Sequence, residues 1–259
     1  MGNADQQETR GMILTTTRTA VCEKHGEFEQ QVISMPFFEL PVFSQCPRCI
    51  EEEEYALAEK AKDGELEKEK VFKLDALEKM GIRRRFYEAT FDTYTASNQG
   101  QMKALEVCRD YAGRREKIVS TGESLFLIGR PGTGKNHLAI SILREWGKGR
   151  IVKLSEMVRE IRLSYSDGSS EQGRIESFAR MPLLILNEVG VQRGTDAERN
   201  LVFEVLDMRY ENMLPTVLIS NLNIQGIKDF IGGRVIDRLM ECAQVAEFTW
   251  ESYRGGERQ

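Results

Sequence analysis

The run Gly129-Arg-Pro-Gly-Thr-Gly134-Lys135 constrains the fold of this chain more than any other. It follows a short apolar stretch, SLFLIG (124–129), and opens an amphipathic one, HLAISILREW (137–146), which Gly147 ends. A strand, a glycine-rich loop and a helix in that order make a cradle for phosphate. The glycines let the backbone curl until its N–H groups converge on an anion. Lys135 brings a point charge to the outer phosphates, and the helix N-terminus adds a partial positive charge. A plain strand-to-helix turn has no need of the lysine. Gly129, Pro131, Gly132, Thr133, Gly134, Lys135, Asn136 and His137 are therefore candidate nucleotide contacts. His137 reads as a first-turn helix residue rather than a catalytic base.

The rest of the chain from residue 81 alternates in the same way. IVKL (151–154) reads as a strand and SEMVREIRLSY (155–165) as a helix with Ser155 as its cap. LLILN (183–187) and TVLIS (216–220) are wholly apolar strands of the kind buried on both faces, and AERNLVFEVLDMRYEN (197–212) between them is helical. The pattern predicts an α/β fold, a parallel sheet covered by helices.

Two positions depart from a metal-dependent phosphate site. The residue after the loop lysine should carry a hydroxyl for Mg²⁺, and here it is Asn136. The acidic pair expected after the second strand reads Asn187-Glu188. An amide oxygen brings no negative charge, and Mg²⁺ favours carboxylate, phosphate and water oxygens. Glu188, at the position that activates an attacking water, is present. Two readings follow. Either nucleotide is bound and hydrolysed slowly or not at all, or the asparagines support hydrolysis through water-mediated contacts.

The front of the chain differs in kind. Residues 1–80 carry 17 acidic and 10 basic side chains, whereas residues 81–259 carry 24 and 26, with 20 of those 26 being Arg. The net charge of -5 thus belongs to the front, and the Arg-rich back suits phosphate and interface contacts. With 41% hydrophobic residues the chain has material for a core, which excludes wholesale disorder. No apolar run approaches the roughly 20 residues a membrane span needs, and no secretory pattern opens the chain, so a cytoplasmic location is expected. Within residues 1–50, Cys22-Glu-Lys-His25 and Cys46-Pro-Arg-Cys49 form two paired-ligand knuckles, a Cys₃His set with the spacing of a small zinc ribbon. A redox pair at Cys46 and Cys49 is the alternative. Cys108 and Cys242 are expected to be ordinary buried thiols. Residues 51–80, dense in Glu–Lys pairs at helical spacing, read as a charged helical linker. Three parts are expected: a zinc-ribbon-like module (1–50), the linker (51–80) and a nucleotide-binding domain (81–259).

GRPGTGKNHLAISI, LLILNEVG and TVLISNLN resemble the AAA+ core of the bacterial and phage replicative-helicase loaders of the DnaC type. RRRFYEATFDTY (83–94) is similar to the segment these loaders carry before that core, and GGRVIDRLMECAQVAEFTWESYRG (232–255) to their C-terminal segment. The IstB-type transposition helpers share much of the same core. The resemblance implies an ATP-binding protein, with Mg²⁺ at a weakened site. It implies that Asn221 senses the γ-phosphate, against the plain reading of a strand-end turn. It further implies that Arg238 is an arginine finger reaching a neighbouring subunit, supported by Arg234 one turn earlier, and that Arg254 is a second sensor in the same subunit. With Glu188 these make the candidate catalytic set, and a finger acting in trans implies a homo-oligomer. The implied partners are the replicative DNA helicase and single-stranded DNA. The rivals are an IstB-type helper, which binds duplex DNA and a transposase, a non-hydrolysing AAA+ adaptor or inhibitor of a helicase, and an ATPase acting on another protein client.

Overall fold

The computed structural model describes residues 13–35, 40–163, 170–190 and 195–253. The chain divides into two compact units, Met1–Phe72 and Lys73–Gln259.

In the first unit, β1 (Leu14–Cys22) and β2 (Gly26–Ser34) form an antiparallel hairpin, and β3 (Val42–Phe43) pairs with β2 through Val32 and Ile33. Helix α1 (Pro47–Lys79) begins in this unit. Its first residue is Pro47, whose missing N–H costs nothing at a helix start. Of the described residues in this unit, only Cys46 is buried as a core side chain is. Among the described residues, then, no buried apolar cluster holds the hairpin to the helix.

The second unit opens with Leu77 and Met80 packed on its core, then a 3₁₀ turn at Arg84–Phe86. Helix α2 (Gln99–Gly113) starts with a capping box between Asn98 and Gln101, and α3 (Arg115–Thr121) follows. Next come β4 (Ser124–Gly129), α4 (Lys135–Trp146), β5 (Arg150–Lys153), α5 (Leu154–Arg162), α6 (Glu171–Ala179) and β6 (Leu184–Val189). The unit closes with α7 (Asp196–Glu211), β7 (Thr216–Ser220), α8 (Ile224–Ile231), α9 (Gly233–Met240) and β8 (Ala243–Phe248). The five strands are parallel, in the order β5-β6-β7-β4-β8.

Strand residues alternate between two apolar layers, as a pleat with period two requires. Leu125, Leu127, Val217 and Ile219 face a layer with Tyr111 and Trp146, whose rings stack 6.1 Å apart. Phe126, Ile128, Leu186 and Leu218 face the other, built from α5 to α9. Burial on both faces explains the uninterrupted apolar strands. The fully buried Arg209 guanidinium donates to Thr216 Oγ1 and to the carbonyls of Phe178, Ala179, Met181 and Pro215, tying the end of α6 to the start of β7.

Three expectations need correction. Ser155 does not cap α5: the helix begins at Leu154 directly from the extended Lys153, with no side-chain cap. Leu154, Met157, Val158 and Ile161 are all buried, and that apolar stripe sets the helical phase one residue earlier. The strand expected over 151–154 correspondingly runs from Arg150 to Lys153. Cys108 is buried, but Cys242 is exposed between α9 and β8.

From β4 the chain crosses to β5, skipping the places that β6 and β7 later fill. This opens a crevice at the carboxyl ends of β4 and β7. Gly129, at the end of β4, has φ +131, and a Cβ there would lie 2.2 Å from the Phe248 carbonyl oxygen. Gly129→Ala is expected to lower the stability of this unit by about 3 kcal/mol, read from the urea midpoint. An unchanged midpoint would contradict the close packing of β4 on β8.

Candidate nucleotide site and cysteine–histidine cluster

The phosphate loop sits between the C-terminal segment and the segment preceding α2. Arg130 N–H donates to Phe248 O at 3.0 Å and Tyr253 N–H to Gly132 O at 3.0 Å. Trp250 Nε1 donates to Thr133 O at 3.1 Å. On the other side Tyr94 lies against Gly134, where a Cβ would meet the ring at 2.8 Å. Gly134 takes φ +97, a left-handed value that glycine adopts freely, and from it α4 launches. His137 Nε2 contacts Thr90 O at 2.7 Å and its ring meets Tyr94 edge-on. His137 thus anchors the preceding segment to the loop helix.

Lys135 is buried to 6% exposure, and its Nζ donates to Gly129 O at 2.7 Å and Arg130 O at 2.6 Å. Burial pushes its ammonium down to about 8. A phosphate anion beside it would offset that desolvation.

Asn187 is buried at the end of β6, where pairing with β7 breaks between Leu186 and Val189. Its Oδ1 accepts the Glu188 N–H at 2.9 Å. Glu188 itself has φ 60, strained backbone for a residue with a Cβ. Its carboxylate pairs with Lys153 Nζ at 2.7 Å. Ser220 holds the neighbouring strand end by donating to Val189 O.

These parts meet in one cavity of about 390 Å³. Pro131 to His137, Asn187, Glu188 and Asn221 all line it, and Gly129 lies behind the loop. Arg238 does not: it pairs with Asp207 and stacks its guanidinium 5.4 Å from the Tyr210 ring centroid. Arg234, one turn earlier, is exposed. Arg254 lies outside the described residues. The cavity also takes Arg85, Phe86, Tyr94, Gln101 and Tyr253, which the sequence marks at most as parts of flanking blocks. Lys153 escapes the sequence reading altogether, because nothing in IVKL points to a partner across the strand ends.

The donor set does not fit Mg²⁺. Asn136 and Asn187 are neutral, the Asn187 oxygen accepts the Glu188 N–H, and Lys153 pairs with Glu188, the one carboxylate lining the cavity among the described residues.

The cysteine–histidine cluster is a different case. The hairpin turn supplies Cys22 and His25, while Cys46 and Cys49 flank the start of α1. Cys22 Sγ lies 3.6 Å from Cys49 Sγ and 3.8 Å from His25 Nδ1, which is 3.7 Å from Cys46 Sγ and 3.3 Å from Cys49 Sγ. Ligand bonds of about 2.3 Å to sulfur and 2.0 Å to nitrogen put tetrahedral neighbours about 3.5–3.8 Å apart, so the cluster fits Zn²⁺. Glu52 accepts from His25 Nε2 at 3.0 Å, fixing Nδ1 as the ligand atom. Backbone N–H groups of Lys24 and His25 pull Cys22 down to about 6, while the hydrogen bond to Cys22 pushes Cys49 up to about 11. Sulfurs this close need a dication before all can be thiolates.

The five-stranded parallel sheet, the phosphate loop after β4 and the residues at the ends of β6 and β7 define an AAA+ P-loop nucleotide-binding protein. Residues 56–259 match the family model described as IstB-like ATP binding protein, and the chain belongs to that family. The replicative helicase loader DnaC of Buchnera aphidicola subsp. Schizaphis graminum is 30% identical over 218 residues, 79% of this chain and 87% of that protein. DnaC of Escherichia coli (strain K12) is 31% identical over 180 residues, 67% and 72% of the two chains. The crystal structure of the DnaC helicase loader shares the fold at TM-score 0.57 and 22% identity, covering 64% of this chain and 99% of that one. Among the described residues no helix is long and apolar enough to cross a membrane.

Proposed function

We propose that this protein is a DnaC-type helicase loader that binds ATP, the replicative helicase and single-stranded DNA, and places the helicase on the strand. The observation that carries the reading is the convergence of the phosphate loop, Asn187, Glu188 and Asn221 on one cavity, in a chain whose relatives are named replicative helicase loaders. The zinc-ribbon-like front, acidic and poor in buried apolar side chains, grips the helicase through the surface it leaves exposed, with Cys22, His25, Cys46 and Cys49 holding Zn²⁺. The Arg-rich AAA+ part meets the DNA backbone. Asn221 senses the terminal phosphate. Arg238, outside its own cavity, reaches the nucleotide of a neighbouring copy, with Arg254 acting in its own subunit. Turnover is slow, since both metal-facing positions are Asn.

Co-purification with the host helicase, followed by a loading assay on coated single-stranded DNA, tests this. Complex formation and stimulated loading are expected, and the absence of both sinks the reading. Binding to a transposase and duplex DNA instead would favour the transposition-helper alternative. Lys135→Ala removes the buried ammonium and is expected to weaken ATP binding roughly 30- to 150-fold, from the about 2–3 kcal/mol of a charge-assisted contact. Fluorescence titration with labelled ATP checks it, and retained affinity would remove Lys135 from the site.

A further inference from the structure

The cavity is built against a metal and for an anion. Asn136 and Asn187 remove the two groups that would face Mg²⁺, and the Asn187 oxygen is spent on the Glu188 N–H at 2.9 Å. Among the described residues Glu188 is the only acid lining the cavity, and Lys153 Nζ sits 2.7 Å from its carboxylate. Lys135 and Arg85 line the same space, and Arg85 makes no ion pair among the described residues. The lining charge is therefore positive once the Lys153–Glu188 pair cancels. In a metal-dependent site the carboxylates are tolerated because the dication lies between them and the phosphates. Here Asn187 takes one such repulsion away together with the ligand, and Lys153 offsets the charge of Glu188.

We propose that this site binds nucleotide as the metal-free polyphosphate, with Lys135 and Arg85 supplying the neutralisation that Mg²⁺ supplies elsewhere. Lys153 acts as a positioning residue by cancelling Glu188. The inference rests on the reading of the cavity as a nucleotide site. It goes further, because it makes the loss of the metal-facing hydroxyl and carboxylate at positions 136 and 187 a binding preference rather than a defect. Phosphates meeting fixed cations and loop N–H groups in a half-enclosed cavity need no third charged body to hold them.

The test is titration of the full-length protein with N-methylanthraniloyl-ATP in excess Mg²⁺ and in buffer freed of divalent ions by resin, without a chelator that would attack the cysteine cluster. The two dissociation constants are expected to agree within about threefold. Asn136→Thr with Asn187→Asp is expected to weaken metal-free binding about tenfold, with Mg²⁺ restoring it. Lys153→Met, which exposes the Glu188 charge, is expected to weaken metal-free binding several-fold in an otherwise folded protein. A loss of tenfold or more when Mg²⁺ is withdrawn from the parent protein overturns the proposal while leaving the nucleotide site standing. No binding in either buffer overturns both.

Discussion

Stripping zinc from the full-length protein is expected to unfold residues 14–34 while the parallel sheet stays intact. The reason lies in how little else holds the first unit. Its strands are largely exposed, Cys46 is its one buried core side chain among the described residues, and the contacts joining hairpin to helix run through the cysteine–histidine cluster and Glu52. A hairpin alone is marginal in water, and structural Zn²⁺ contributes about 10 kcal/mol or more to small ribbons. Hydrogen exchange is the direct readout: amides of β1 and β2 should lose protection after chelation, while those of β4 and β7 keep theirs. Cys49→Ser should reproduce the effect without chelator, and metal analysis should find one zinc per chain in the parent and none in the variant. Retained protection in 14–34 after metal loss would show that the strands stand on their own. If the front grips the helicase, the same treatment should abolish co-purification with it.

The second large effect is expected in turnover. Asn136→Thr with Asn187→Asp gives the site the hydroxyl and the carboxylate that Mg²⁺ takes, while the introduced carboxylate can still accept the Glu188 N–H that Asn187 accepts. Metal-assisted charge stabilisation supplies several kcal/mol, so about 3 kcal/mol, or roughly 100-fold in steady-state ATP hydrolysis, is the expected gain. Coupled-enzyme kinetics in excess Mg²⁺ measures it. Adding Lys153→Met should raise the rate further, because it frees the Glu188 carboxylate. Equal rates for the parent and the double variant would mean that the asparagines do not limit the chemistry.

The central sheet is legible in the sequence because its strands are apolar on both faces and bounded by turn residues: SLFLIG and TVLIS match β4 and β7 to the residue. The phosphate loop is legible because its chemistry is local. Helix α2 is not, although Asn98 and Gln101 box its start, since a mean polar pattern hides the buried stripe of Ala104, Cys108 and Tyr111. The sequence marks strand β8 only as part of a terminal block. It is an edge strand with partly exposed residues, and its identity depends on a partner 119 positions earlier, Ser124 with Ala243. Lys153 and Arg85 show the same limit at the site. Each is an ordinary basic residue in sequence, and only the crossing of the chain brings it to Glu188 or to the cavity.

The backing of the phosphate loop by Phe248, Trp250 and Tyr253 bears on the order in which the molecule is made. The glycine-rich segment leaves the ribosome more than a hundred residues before the strand and indole that brace it. Such distant closure comes late in folding. A nascent chain stopped short of Phe248 therefore displays the glycine-rich loop without the strand and indole that back it. The brace is complete only once synthesis has passed Tyr253, so the cradle is made first and its support last.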